Sequence, residues 1–188
     1  MKKLAVFASG NGSNFQAIAE EIQKGKIDAK VALVLTDKEG AGVIKRAEAF
    51  DLPVFCILPK QFETKVQYEQ AILEKLKEYH VDYIILAGYM RLIGETLLGA
   101  FEKRIVNIHP SLLPSFPGKD AIGQAYRAGV KVTGVTVHFV DAGMDTGPII
   151  DQEPIRVDEG ETEETLAKKI HKVEHVLYPK VIQQLVSK

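Results

Sequence analysis

A single cysteine, Cys56, in 188 residues rules out an internal disulfide, and its place in the run Val54-Phe55-Cys56-Ile57-Leu58 predicts core packing. No stretch approaches the roughly 20 apolar residues of a membrane span. The apolar run after Lys2-Lys3 covers only Leu4 to Ala8 before Ser9-Gly10-Asn11-Gly12 interrupts it, short of the about seven to fifteen residues of a secretory signal core. Excess charge is missing too: 24 Lys+Arg against 25 Asp+Glu give a net charge of −1. That leaves no electrostatic footprint for nucleic acid or a membrane surface. Small-molecule partners and a cytoplasmic location are expected. There is no internal repeat, low-complexity tract or linker-like composition.

What is present suits one well-buried core, with 46% hydrophobic and 26% charged residues, and a single domain over residues 1–188 is expected. Leu4 to Ala8, Val31 to Leu35, Val54 to Leu58, Tyr83 to Ala87 and Ile105 to His109 read as strands buried on both faces. Helical spacing fills Asn14 to Lys24, Val43 to Phe50 and Thr64 to Tyr79, the last with Val66, Ile72, Leu73 and Leu76 on its apolar face. This βαβ series predicts an α/β fold: an open, mostly parallel twisted sheet with helices on both faces. Val132 to Val140 and Pro148 to Val157 read as strands that pair antiparallel across an Asp141 to Gly147 turn, which makes the sheet mixed. From Thr162, Leu166, Ile170, Val173, Leu177 and Val181 mark a final helix, with a kink expected at Pro179.

Three segments carry chemistry. Ser9-Gly10-Asn11-Gly12-Ser13-Asn14 joins the first strand to a helix, where bare N–H groups and glycines suit a phosphate. Phe15 stands where a dinucleotide fingerprint needs a third glycine, and a Walker lysine is missing, so both standard nucleotide motifs fail. Asp37, after the second strand, reads as a solvated loop acid. In the strand Ile105 to His109, Asn107 and His109 are two apart and share a face. An amide donor beside an imidazole can hold and protonate an oxygen gaining negative charge in acyl transfer. Asp145, in the loop Asp141-Ala142-Gly143-Met144-Asp145 after the strand bearing His138, could reach the same sheet edge and orient His109 as imidazolium. The pattern His171-Lys172-Val173-Glu174-His175 also matches a zinc-peptidase signature, but only 13 residues follow it, too few for the expected third ligand. No metal site is expected.

The run Asn107-Ile108-His109-Pro110-Ser111-Leu112-Leu113-Pro114 resembles the signature of the folate-dependent formyltransferase family. Gly10 to Asn14, Leu86-Ala87-Gly88-Tyr89-Met90-Arg91, His138-Phe139-Val140, Asp145 with Gly147-Pro148, and Glu174-His175 followed by Tyr178-Pro179 extend the likeness over essentially the whole chain. The resemblance implies a Rossmann-like formyltransferase fold and an enzyme of purine biosynthesis. Its co-substrate would be 10-formyltetrahydrofolate and its acceptor the amine of 5-phosphoribosylglycinamide, giving formylglycinamide ribonucleotide and tetrahydrofolate.

It further implies roles. Asn107, His109 and Asp145 match the catalytic positions. Asn11, Gly12, Ser13, Asn14 and Phe15 would hold the ribose phosphate, with His171, Lys172, Val173 and Glu174 at the glycinamide and ribose end. Met90, Arg91, Leu92 and Ile93, with Asp141, Ala142, Gly143, Met144, Asp145 and Asn107, would line the folate pocket, and Lys65 would approach the folate side. Lys119-Asp120-Ala121-Ile122 depart from the His-containing segment of many relatives. Two alternatives stay open: a formyltetrahydrofolate hydrolase, whose relatives carry an extra domain ahead of the first strand, and a non-catalytic nucleotide-binding module. The tRNA-directed branch is disfavoured by the lack of a basic C-terminal domain. Whether two copies form a homodimer is likewise open.

Overall fold

The computed structural model describes residues 1–188. Five parallel strands, β1 (Lys2–Phe7), β2 (Ala29–Thr36), β3 (Val54–Cys56), β4 (Tyr83–Leu86) and β5 (Ile105–His109), are followed by β6 (Val132–Phe139) and β7 (Ile149–Arg156). They form one seven-stranded sheet in the order β3-β2-β1-β4-β5-β6-β7. β6 runs antiparallel to β5, and β7 to β6. The mixed sheet therefore matches the sequence reading strand for strand.

Alternation along the strands sends successive side chains to opposite faces. Leu4, Val6 and Ala8 pack with α1 (Ser13–Gln23), α2 (Gly42–Ala49) and α6 (Glu163–Val186), whereas Ala5 and Phe7 pack with α3 (Lys65–Glu78) and α4 (Glu95–Ala100). Two cores thus sandwich the sheet, which is why β1 reads as continuously apolar. The short α4 and α5 (Ala121–Ala128) have no counterpart in the sequence reading. Thr64 and Thr162 cap α3 and α6, each accepting from the backbone N–H three residues on.

Several expectations fail for identifiable reasons. Cys56 is exposed rather than core, because it ends a three-residue strand at the sheet margin. Val66, in the first turn of α3, is 65% exposed. The inward face of α3 is instead Tyr68, Glu69, Ile72, Leu73 and Leu76, a set hidden from hydropathy because one member is a carboxylate. Asp37 is buried at the end of β2 instead of solvated, since Ser9 and Arg91 close over its two oxygens. Pro179 lies inside α6, which stays helical from Glu163 to Val186; that continuity does not measure the expected kink.

One hydroxyl ties α6 to the middle of the sheet. Tyr178, fully buried, donates toward the carbonyls of Leu86 (2.7 Å), the last residue of β4, and Val106 (3.0 Å), the second residue of β5. Burial holds its phenol pKa well above the ordinary value. Tyr178→Phe removes the only side-chain donor to both carbonyls and is expected to cost about 1–3 kcal/mol, read as a lower urea midpoint with an unchanged slope.

Candidate active site

β1 has β2 on one side and β4 on the other, so the strand order reverses there. In open α/β sheets a crevice forms outside the carboxyl ends of strands at such a point. A cavity of about 690 Å³ occupies that position, lined from the loops after β1, β4, β5 and β6 and from α6.

One polar wall of the cavity follows from strand register. Asn107 pairs with His138 and His109 with Thr136 across β5 and β6, so these four polar side chains share one face. His138 Nδ1 lies 2.8 Å from the Phe139 carbonyl, which can only accept, so Nδ1 carries the proton. Its Nε2 then accepts from the Asn107 amide at 3.3 Å. That fixes the Asn107 side chain and leaves its second N–H for another acceptor. The same reasoning puts a proton on His109 Nε2, 2.8 Å from the Phe116 carbonyl, and turns Nδ1 toward Asp145.

Asp145 arrives from the β6–β7 loop in a left-handed conformation, φ 56°. Its Oδ2 accepts the Gly118 N–H at 2.8 Å and lies 3.5 Å from His109 Nδ1, while Oδ1 is 3.8 Å from His138 Nε2. The last two separations exceed ordinary hydrogen bonds. His109 Nδ1 is therefore not committed to the carboxylate. The Asp141–Asp145 loop is fixed by Asp141, which accepts from Gly143 N–H and the Thr146 hydroxyl; those two bonds, the hydroxyl first, hold its carboxyl pKa below the usual range.

At the other end, α1 opens at Gly12 (φ 81°) with no side-chain cap. The N–H groups of Ser13, Asn14 and Phe15 are in the first turn and have no partner within the helix. Arg46 of α2 donates from Nε to the Asn11 carbonyl (2.8 Å) and side-chain oxygen (3.0 Å), fixing the loop. His171 donates from Nδ1 to Glu174 (2.9 Å), which raises the His171 pKa, and Asn14 donates to the same carboxylate oxygen at 3.4 Å. The Asn14 side-chain amide oxygen, Oδ1, is buried without a partner. The zinc-like pattern is thus occupied by a His–Glu bond, and no group of three or more His, Cys, Asp or Glu side chains is arranged to hold a metal ion.

The family model of the formyl transferases matches residues 2–182. The chain belongs to the formyl transferase family. It is 60% identical to phosphoribosylglycinamide formyltransferase of Bacillus subtilis, covering 100% of this chain and 96% of that protein. It is 39% identical to the trifunctional purine biosynthetic protein adenosine-3 of Gallus gallus over 98% of this chain, which spans 18% of that protein. The crystal structure of phosphoribosylglycinamide formyltransferase from Bacillus halodurans superposes with a TM-score of 0.97 at 55% identity, covering 100% of this chain and 96% of the other.

Within this formyltransferase cavity stand Asn11 to Asn14, Met90 to Ile93, Asn107, His109, Asp141, Gly143 to Asp145, His171 and Glu174. Five expected site residues stand outside it. The Phe15 side chain is fully buried edge-on against Phe50 and can offer a ligand only its backbone N–H. Lys172 points to solvent and Val173 packs on the core, because on a helix only His171 and Glu174, three apart, face the cavity together. Ala142 is exposed at the loop's outer side. Lys65 lines a neighbouring hollow of about 600 Å³ that shares Met90, Arg91 and Leu92 with the main cavity. Conversely, sequence reasoning missed the orienting roles of His138, Arg46, Phe116 and Gly118. For His138 the signal was available, since an antiparallel β5–β6 pairing must set some residue of β6 beside Asn107. For Arg46, 35 residues from Asn11, none was.

Proposed function

We propose that residues 1–188 act as one formyltransferase domain. It moves the formyl group of 10-formyltetrahydrofolate to the amine of 5-phosphoribosylglycinamide, in the cytoplasm, as a step of purine biosynthesis. The observation that carries this reading is the convergence of Asn107, His109 and Asp145 on one wall of a cavity whose far end is an uncapped helix N-terminus. That N-terminus suits the ribonucleotide phosphate, and the naming of the B. subtilis relative agrees with it. The folate side suits a flat heteroaromatic ring: Ile93 and Val140 give apolar walls, and Met90, Leu92 and Met144 are large apolar side chains left about half or more exposed. Apolar surface of that kind invites cover by a ligand.

Bound formyl folate supplies an activated one-carbon unit with a folate nitrogen as leaving group. In the net transfer a bond forms between the formyl carbon and the acceptor amine, and the bond to the folate nitrogen breaks. The amine gives up one proton and the folate nitrogen takes one. The free N–H of Asn107 and the Nδ1–H of His109 stabilise the formyl oxygen as it gains negative charge. With Nε2–H given to the Phe116 carbonyl, a proton on Nδ1 makes the ring an imidazolium, and at 3.5 Å from Asp145 that N–H stays available to the formyl oxygen. Asp145 keeps that ring oriented and receives the amine proton, directly or through water. Asn14, His171 and Glu174 bind the ribonucleotide.

The test is an assay of folate release from 10-formyltetrahydrofolate with and without phosphoribosylglycinamide, with mass detection of the formylated product. Release only with the acceptor is the expected result. Release without it would make the chain a hydrolase, and tight ribonucleotide binding with no release would make it a binding module.

A further inference from the structure

Asp37 is a carboxylate whose side chain is only 2% exposed; it stands at the wall of the smaller neighbouring hollow and not of the large cavity. A buried charge is strongly disfavoured unless it is paired, so its partners identify its task. Oδ1 accepts the Ser9 hydroxyl at 2.6 Å, and Oδ2 accepts Nε of Arg91 at 3.0 Å. The Ser9 oxygen in turn accepts the Met90 N–H at 2.9 Å. Both arms therefore end on consecutive residues of the loop after β4. The same loop is gripped from α3, where the Tyr68 and Tyr89 hydroxyls meet at 2.8 Å and the buried Glu69 accepts the Gly94 N–H at 2.7 Å. A Cβ on Gly94 would sit 2.6 Å from that carboxylate, so a side chain there would push the Glu69 carboxylate from its place.

We propose that Asp37, with Ser9 as its relay, is a positioning residue that sets the Gly88–Gly94 loop and thereby the affinity for the folate partner, without touching either substrate. The inference rests on the folate reading of Met90 to Ile93 given above. Asp37 reaches the loop from the end of β2, on the far side from Asn107 and His109, and the ribonucleotide end is held independently by Arg46 and Glu174. The effect should therefore be one-sided.

Binding of tetrahydrofolate and of phosphoribosylglycinamide is measured separately by calorimetry on wild type, Asp37→Ala and Asp37→Asn, with circular dichroism to check folding. In Asp37→Ala the dissociation constant for tetrahydrofolate is expected to rise about tenfold and that for the ribonucleotide to change less than about twofold. Asn keeps an acceptor for Ser9 and loses only the Arg91 arm, so its rise should be smaller; it also carries the test where the Ala variant does not fold. Equal changes for both ligands, or no change for tetrahydrofolate in a folded variant, would overturn the proposal. Wild type binding neither ligand would sink the folate reading instead. The clamp is then read by amide exchange at Met90 in Ser9→Ala: faster exchange is expected, and unchanged protection would remove the clamp itself.

Discussion

Replacing His109 by Ala is expected to lower kcat by a factor of about a hundred or more, and Asp145→Ala by a comparable factor, with the circular dichroism spectrum retained. The structure explains why the two should behave as a unit. Asp145 approaches Nδ1 of His109 and is itself fixed by Gly118, while the Phe116 carbonyl holds Nε2. Losing either member removes the aligned donor at the formyl oxygen. The double variant should therefore fall little below the worse single one. Near-normal turnover in both single variants would take these residues out of the mechanism. Losses that multiply in the double variant would mean that they act separately.

Gly12→Val is expected to destabilise the protein by about 2–4 kcal/mol, combining a left-handed backbone that valine resists with overpacking. Gly12 sits at φ 81°, and any Cβ there would lie 2.8 Å from Cβ of Val43, itself fully buried at the start of α2. A sequence-only view would treat this substitution as a probe of phosphate affinity alone. Structurally, it pushes α2 away from the loop and disturbs Arg46, which holds Asn11. The expected measurement is a lowered urea midpoint together with a KM for the ribonucleotide raised more than that for the folate. An unfolding free energy within about 0.5 kcal/mol of wild type would contradict the packing argument.

Much of the architecture was legible because local physics dictated it. Short continuous apolar runs bounded by turn signals read as strands covered on both faces, a reading that fails in part only at the margin strand β3, and the threonines at positions 64 and 162 mark where helices start. Asn107 and His109 were legible as a pair because strand alternation is strict. Chain order likewise announced the glycine loop before α1 and the Asp145 loop after β6.

What the sequence by itself determined is thus the class of sheet, the strands and which polar groups are candidates for the chemistry, since each depends on neighbours within a few residues. Tertiary structure alone decided which polar groups are buried and what they hold. Asp37 and Glu69 look like ordinary surface acids until the loop after β4 folds onto them. His171 and His175 look like a metal-ligand pair until α6 gives His171 to Glu174 beside Asn14. The orientation of Asn107 depends on His138, 31 residues away on another strand. Contacts of that separation follow from register and loop closure, which composition and periodicity do not encode.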